Sequence, residues 1–91
     1  MNSITQAATK ITSIALAKFI EAGGELTSLE TVNRGEGDRE IHVFEVEGRD
    51  GSYISDNSGV SWFDASAASV VAALTSGDTS EIGEARGVAS I

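Results

Sequence analysis

The run Arg39–Glu47 constrains the fold more than any other stretch of the chain. Ile41, Val43, Phe44 and Val46 are strong β-formers, and glycines bound the run at Gly37 and Gly48. Successive side chains of a strand point to opposite faces, so Ile41 and Val43 share one face while Phe44 and Val46 share the other. A strand that is apolar on both parities sits in the middle of its sheet.

Candidate neighbours lie on either side. Between Glu25 and Arg34, the spacing of Leu26, Leu29 and Val32 suits a helix. Thr27, Thr31 and Val32, followed by Gly35-Glu36-Gly37-Asp38, suit a strand entering a turn, and strand is the preferred reading. Gly48-Arg49-Asp50-Gly51 reads as a hairpin turn, because Asp-Gly tolerates positive φ. Ser52–Ser55 is then a strand, Asp56-Asn57-Ser58-Gly59 a second turn, and Val60–Phe63 a short fourth strand.

Helical patterns flank this block. Ser3 and Gln6 have the spacing of a capping box, and Ile4, Ala7, Ala8, Ile11, Ile14, Ala15 and Phe19 recur with a period near 3.6, widened by Leu16 and Ile20. Gly23-Gly24 supplies the stop, so one helix is expected over residues 3–22. Asp64 or Ser66 caps a second helix carrying Ala67, Val70, Val71 and Leu74, which ends at Gly77. Residues 78–91 lack a clear period and read as a loose tail, with Ile82, Val88 and Ile91 as its apolar points.

The expected fold is a single α+β domain over 1–77 in the order α-β-β-β-(β)-α. An antiparallel sheet of three or four strands would carry both helices on one face, as a two-layer sandwich. The opposite face would then present Ile41 and Val43, or Phe44 and Val46. Exposed apolar area of that kind predicts a partner, and the simplest is a second copy in a homodimer.

Composition narrows function by exclusion. At 91 residues there is room for one domain, and twelve alanines make the core thin. The absence of cysteine removes disulfides, zinc–thiolate sites and thiol nucleophiles, and fits a cytoplasmic location. No apolar run approaches the roughly 20 residues of a membrane span, and no signal-peptide pattern opens the chain. Fourteen acids face six lysines and arginines, giving a net charge of −8 that repels polyanions, so direct nucleic-acid binding is not expected. The charge is uneven: residues 1–20 hold two lysines and no acid, while eight of the acids fall between Glu21 and Glu47. Such a surface attracts basic partners.

No constellation identifies a reaction. His42, the only histidine, shares a strand face with Phe44 and Val46 and reads as a hydrogen-bonded sheet residue. After Asp50, Ser52 and Ile54 occupy positions where a calcium loop needs Asp or Asn. Gly35-x-Gly37 and Gly48-x-x-Gly51 do not open helices and are turns rather than phosphate cradles. No catalytic residue, metal or cofactor is expected, and the chain reads as a non-enzyme. The candidate binding residues are the carboxylates Glu30, Glu36, Asp38, Glu40, Glu45 and Glu47, grouped around the Ile41/Val43 face. Carboxylates spaced around an apolar centre suit a Lys/Arg-lined groove. Tyr53 and Trp62 are aromatic anchors if exposed, with Trp62 assigned to the core.

In size, acidity, lack of cysteine and element order over residues 3–77, the chain resembles the small inhibitors encoded by phages and mobile elements, the anti-CRISPR proteins among them. These share no residue motif, so the resemblance transfers no functional residue. It implies a stoichiometric inhibitor that binds a nuclease or ribonucleoprotein surveillance complex and blocks its access to nucleic acid. Two other readings use related physics: an immunity or antitoxin protein that neutralises a basic toxin, and a self-assembling phage structural protein suggested by the two-sided apolar strand.

Overall fold

The computed structural model describes residues 1–11, 13–33, 40–56, 59–88 and 91. The expected turn at Gly35–Asp38, with Glu36 and Asp38, lies outside the described residues, as do Asn57 and Ser58 of the second turn. The elements are α1 (Ser3–Ala8), α2 (Ile14–Glu21), β1 (Leu26–Asn33), β2 (Glu40–Val46), β3 (Ser52–Asp56), β4 (Gly59–Phe63), α3 (Ala67–Ser76) and β5 (Arg86–Val88). The strands form one antiparallel sheet in the order β1-β2-β3-β4-β5. The α+β class, the antiparallel sheet and the helices before and after the β1–β4 block match the expectation from sequence.

β2 is an interior strand, and both of its apolar parities are buried. Phe44 is fully buried and stacks on Tyr53 with ring centroids 5.5 Å apart. It belongs to a cluster with Ala8, Leu16, Leu26, Val46, Val60 and Ile91, onto which Ile4, Ile11, Phe19 and Ile20 pack. Val43, also fully buried, belongs to a separate cluster with Val32, Phe63, Ala67, Val70, Ala73 and Ile82. Neighbouring residues of one strand thus feed two cores, with α1 and α2 on one sheet face and α3 on the other.

This layering corrects the two-layer expectation. Each apolar face of β2 needs cover, and the helices divide between them instead of sharing one side. The uncovered apolar face that motivated the homodimer and self-assembly readings is therefore filled from within the chain.

The single helix expected over 3–22 is broken. α1 is capped by Asn2, whose Oδ1 accepts from the Thr5 amide at 2.7 Å, in place of the expected Ser3 box. The Thr9 hydroxyl donates to the Gln6 carbonyl at 2.6 Å, and the Ser13 hydroxyl accepts from the Leu16 amide to open α2. Hydroxyl side chains that bond the local backbone compete with helix continuation. Most of the hydrophobic stripe survives the break because both short helices face the same core, but Ile14, at the start of α2, is 79% exposed.

Residues 78–91 also differ from the expected loose tail. β5 pairs with β4 through Val60↔Val88, Ser61↔Gly87 and Trp62↔Arg86. Ile82 and Ile91 are 4% and 7% exposed, one in each core. Three apolar residues spaced irregularly leave no periodic signal, yet Ile82 packs into the core under α3 while Val88 and Ile91 pack into the core under α1 and α2.

A polar clasp joins α1 to the start of β1. Thr5 is fully buried; its hydroxyl donates to Glu25 Oε2 at 2.7 Å and accepts from the Leu26 amide at 2.9 Å. Asn2 donates through its side chain to the Leu26 carbonyl and through its backbone amide to Glu25. The Asn2 amide, then the Thr5 hydroxyl, with a smaller contribution from the nearby Met1 ammonium, hold the Glu25 carboxyl below its ordinary value near 4.5. A depressed folded-state pKa contributes stability above the unfolded-state pKa, and that stability is lost as pH falls through the folded value. Glu25→Gln is therefore expected to flatten part of the acid limb of stability below about pH 4.5, while Thr5→Val costs about 1–3 kcal/mol at neutral pH by orphaning the Leu26 amide. Thermal melts between pH 2.5 and 7 check both; an unchanged acid limb in Glu25→Gln removes the linkage.

Candidate functional site

Of the six carboxylates named from sequence, Glu30, Glu40, Glu45 and Glu47 are described, and the structure separates them. Glu30 and Glu47 are exposed on the parity that faces α3, beyond the helix's cover. Glu40 is exposed on the opposite parity, beside His42. Glu45 is half-buried, and its Oε2 accepts from the Ala67 amide at 2.7 Å. It satisfies a free donor in the first turn of α3, where negative charge is also stabilised by the positive end of the helix dipole. Ser66 caps the same helix end through the Ser69 amide. Glu45 thus ties β2 to α3. Tyr53 is 5% exposed and stacked on Phe44, so it is a core residue and not a surface anchor. Trp62 is half-buried; its Nε1 donates to the Asp50 carbonyl at 3.0 Å and the Arg86 guanidinium lies 5.6 Å from its ring centroid.

The sheet end beyond α1 and α2 carries Thr31, Glu40, His42 and Ser55. Register places Thr31 and Ser55 on the two sides of His42. His42 Nδ1 lies 3.2 Å from Thr31 Oγ1, and Nε2 lies 3.9 Å from Glu40 Oε2. The first is a hydrogen bond; the second is beyond hydrogen-bond range, so the carboxylate does not orient the ring. Ser55 Oγ is buried and has no hydrogen-bond partner among the described residues. Among the described residues, no group of three or more His, Asp or Glu side chains is placed to hold a metal ion.

Among the described residues, two surface grooves flank the sheet. One, of about 410 Å³, lies between α2 and the β2–β3 turn and is lined by Lys18, Phe19, Gly24, Arg49 and Ile91. The Arg49 guanidinium sits 5.9 Å from the Phe19 ring centroid, and the ring packs flat against Gly24. The other, of about 580 Å³, runs between the end of β1 and α3. It is lined by Thr31, Val32 and Asn33 on the strand and by Val71, Leu74 and Thr75 on the helix. Sequence reading missed both grooves. The signal for the second was present in part, since the first strand of a meander is an edge strand and Val71 and Leu74 flank the same helical stripe.

Among the described residues, no helix is long and apolar enough to cross a membrane. No protein family, curated protein or solved structure matches the chain.

Proposed function

We propose that the chain is a non-enzymatic acidic binding protein. It occupies the basic surface of a nucleic-acid-handling partner in the cytoplasm and keeps nucleic acid away, in the manner of the anti-CRISPR inhibitors it resembles. One observation carries this reading: the exposed carboxylates Glu30, Glu40 and Glu47 have no lysine or arginine within ion-pair distance among the described residues. No described lysine or arginine neutralises their charge, so their field is available to a basic surface. Glu45, spent on α3, is no longer part of that set.

The test compares two double reversals that change net charge equally. Glu30→Lys with Glu47→Lys is expected to slow association with a partner captured from host lysate by about tenfold at low salt, an effect that fades as screening shortens to about 8 Å at physiological ionic strength. Glu81→Lys with Glu84→Lys, exposed on the segment between α3 and β5, is expected to change it several-fold less. The captured protein is expected to be basic and to lose nucleic-acid binding when the chain is added. A partner that still binds nucleic acid in the complex would sink the inhibitor reading, and equal losses from the two variants would reduce the site to net charge.

A further inference from the structure

The open edge of the sheet beside the larger groove has the form of a strand-addition site. The Glu47 amide bonds to the Glu25 carbonyl, so on β2 residues 41, 43 and 45 also direct their backbone groups to β1, while 42 and 44 direct theirs to β3. Their partners Leu29, Thr31 and Asn33, opposite Phe44, His42 and Glu40, therefore turn their own amides and carbonyls outward. The start of this edge is closed, because Asn2 and Thr5 of α1 occupy the outward carbonyl and amide of Leu26. Farther along, no backbone hydrogen bond outside the ladder reaches 29, 31 or 33 among the described residues. β1 carries neither lysine nor proline, the usual protections of an edge. Next to the open stretch lies the groove, with Val32, Val71 and Leu74 as its apolar lining.

We infer that an extended segment of a basic partner adds to β1 as a sixth, antiparallel strand and seats an apolar side chain in the β1–α3 groove. Pairing fixes its pattern. The residue opposite Thr31 exchanges both backbone bonds with it. The residues on either side of that one project to the α3 face, one opposite Val32 and into the groove, the other opposite Glu30. In antiparallel order the segment reads apolar, any residue, then Lys or Arg. Charge selects a basic segment over a second copy of β1, whose only charge is Glu30. The inference rests on the reading of the chain as a binder of basic partners, and names where the contact forms.

The probe is a capped hexapeptide, acetyl-Thr-Val-Thr-Arg-Thr-Thr-amide, titrated into the isotope-labelled chain and followed by NMR. Shifts are expected at Leu29, Thr31, Asn33, Val71 and Leu74. Methylating the amide nitrogen of the threonine that lies between valine and arginine removes the bond to the Thr31 carbonyl and is expected to weaken binding about tenfold. Thr75→Arg, an exposed helix position on the groove rim, is expected to weaken it as much with the fold intact. Shifts spread over the acids with no response to methylation would overturn the inference, as would shifts at β1 that depend on protein concentration without peptide, which mean self-pairing. The two proposals fail separately. A captured partner indifferent to Thr75→Arg removes the groove and leaves the acidic binder. Peptide binding that survives beside a partner indifferent to Glu30 and Glu47 reversal does the opposite.

Discussion

Removal of residues 78–91 is expected to abolish cooperative unfolding or to lower the melting midpoint by more than about 20 °C, on the basis of roughly 4–8 °C per kcal/mol for a domain of this size. The cut leaves α3 intact, because Gly77, at φ 82°, already ends the helix by returning its amide to the Ala73 carbonyl. What goes is one buried isoleucine from each core, Ile82 and Ile91, together with the β5 ladder and the Arg86–Trp62 contact. Each buried isoleucine contributes about 1.5–3 kcal/mol of transfer free energy. A chain of this length holds in total about 5–14 kcal/mol. The truncation also leaves β4 as a bare edge beside an opened core, which favours aggregation. Circular dichroism melts of the full chain and of 1–77 decide the matter. A truncated chain that melts within a few degrees of the full one would return 78–91 to the status of a tail.

That segment shows which parts of the fold sequence can carry. The strands were legible because their evidence is local: β-branched and aromatic residues between glycine-bearing turns, with Ile41, Val43, Phe44 and Val46 marking the interior strand. The division of the helices between the faces was implied by the same four residues, since neither parity of β2 tolerates water, but it requires weighing cover on both faces together. The break between α1 and α2 leaves the hydrophobic period nearly intact, because the two pieces face one core; among the described residues the hydroxyls of Thr9 and Ser13 mark it. β5 carries one β-former, Val88, between glycine and alanine, and exists because β4 offers an edge to it. The site divides in the same way. Acidity is visible in composition, whereas the use of Glu45 at the α3 amide and the open edge at Thr31 depend on register. A register is a relation between distant segments that no single segment displays.

Gly51→Ala is expected to cost about 2–4 kcal/mol, while Gly48→Ala, three residues earlier in the same turn, costs only about 1 kcal/mol. Both glycines have left-handed backbone, φ 83° at Gly48 and 79° at Gly51, so the conformational penalty of a side chain is shared. They differ in surroundings. A Cβ at Gly48 meets nothing within 4 Å, whereas one at Gly51 would lie 2.5 Å from the Phe63 carbonyl oxygen and 2.5 Å from Trp62 Nε1. The carbonyl belongs to β4 and cannot step aside alone. The indole cannot move without breaking its bond to the Asp50 carbonyl, which lies within the turn itself. The strain therefore passes into the β3–β4 pairing through Ser52↔Phe63 and Tyr53↔Trp62, and on to Arg86 above the indole. Trp62 is the only tryptophan, so its fluorescence reports the displacement without a label. Denaturant melts of the two variants, with the emission maximum of each native state, separate the shared backbone penalty from the close approach. Equal destabilisation with unshifted emission in both would mean that the turn costs only its φ angles, and that the indole does not lock the hairpin.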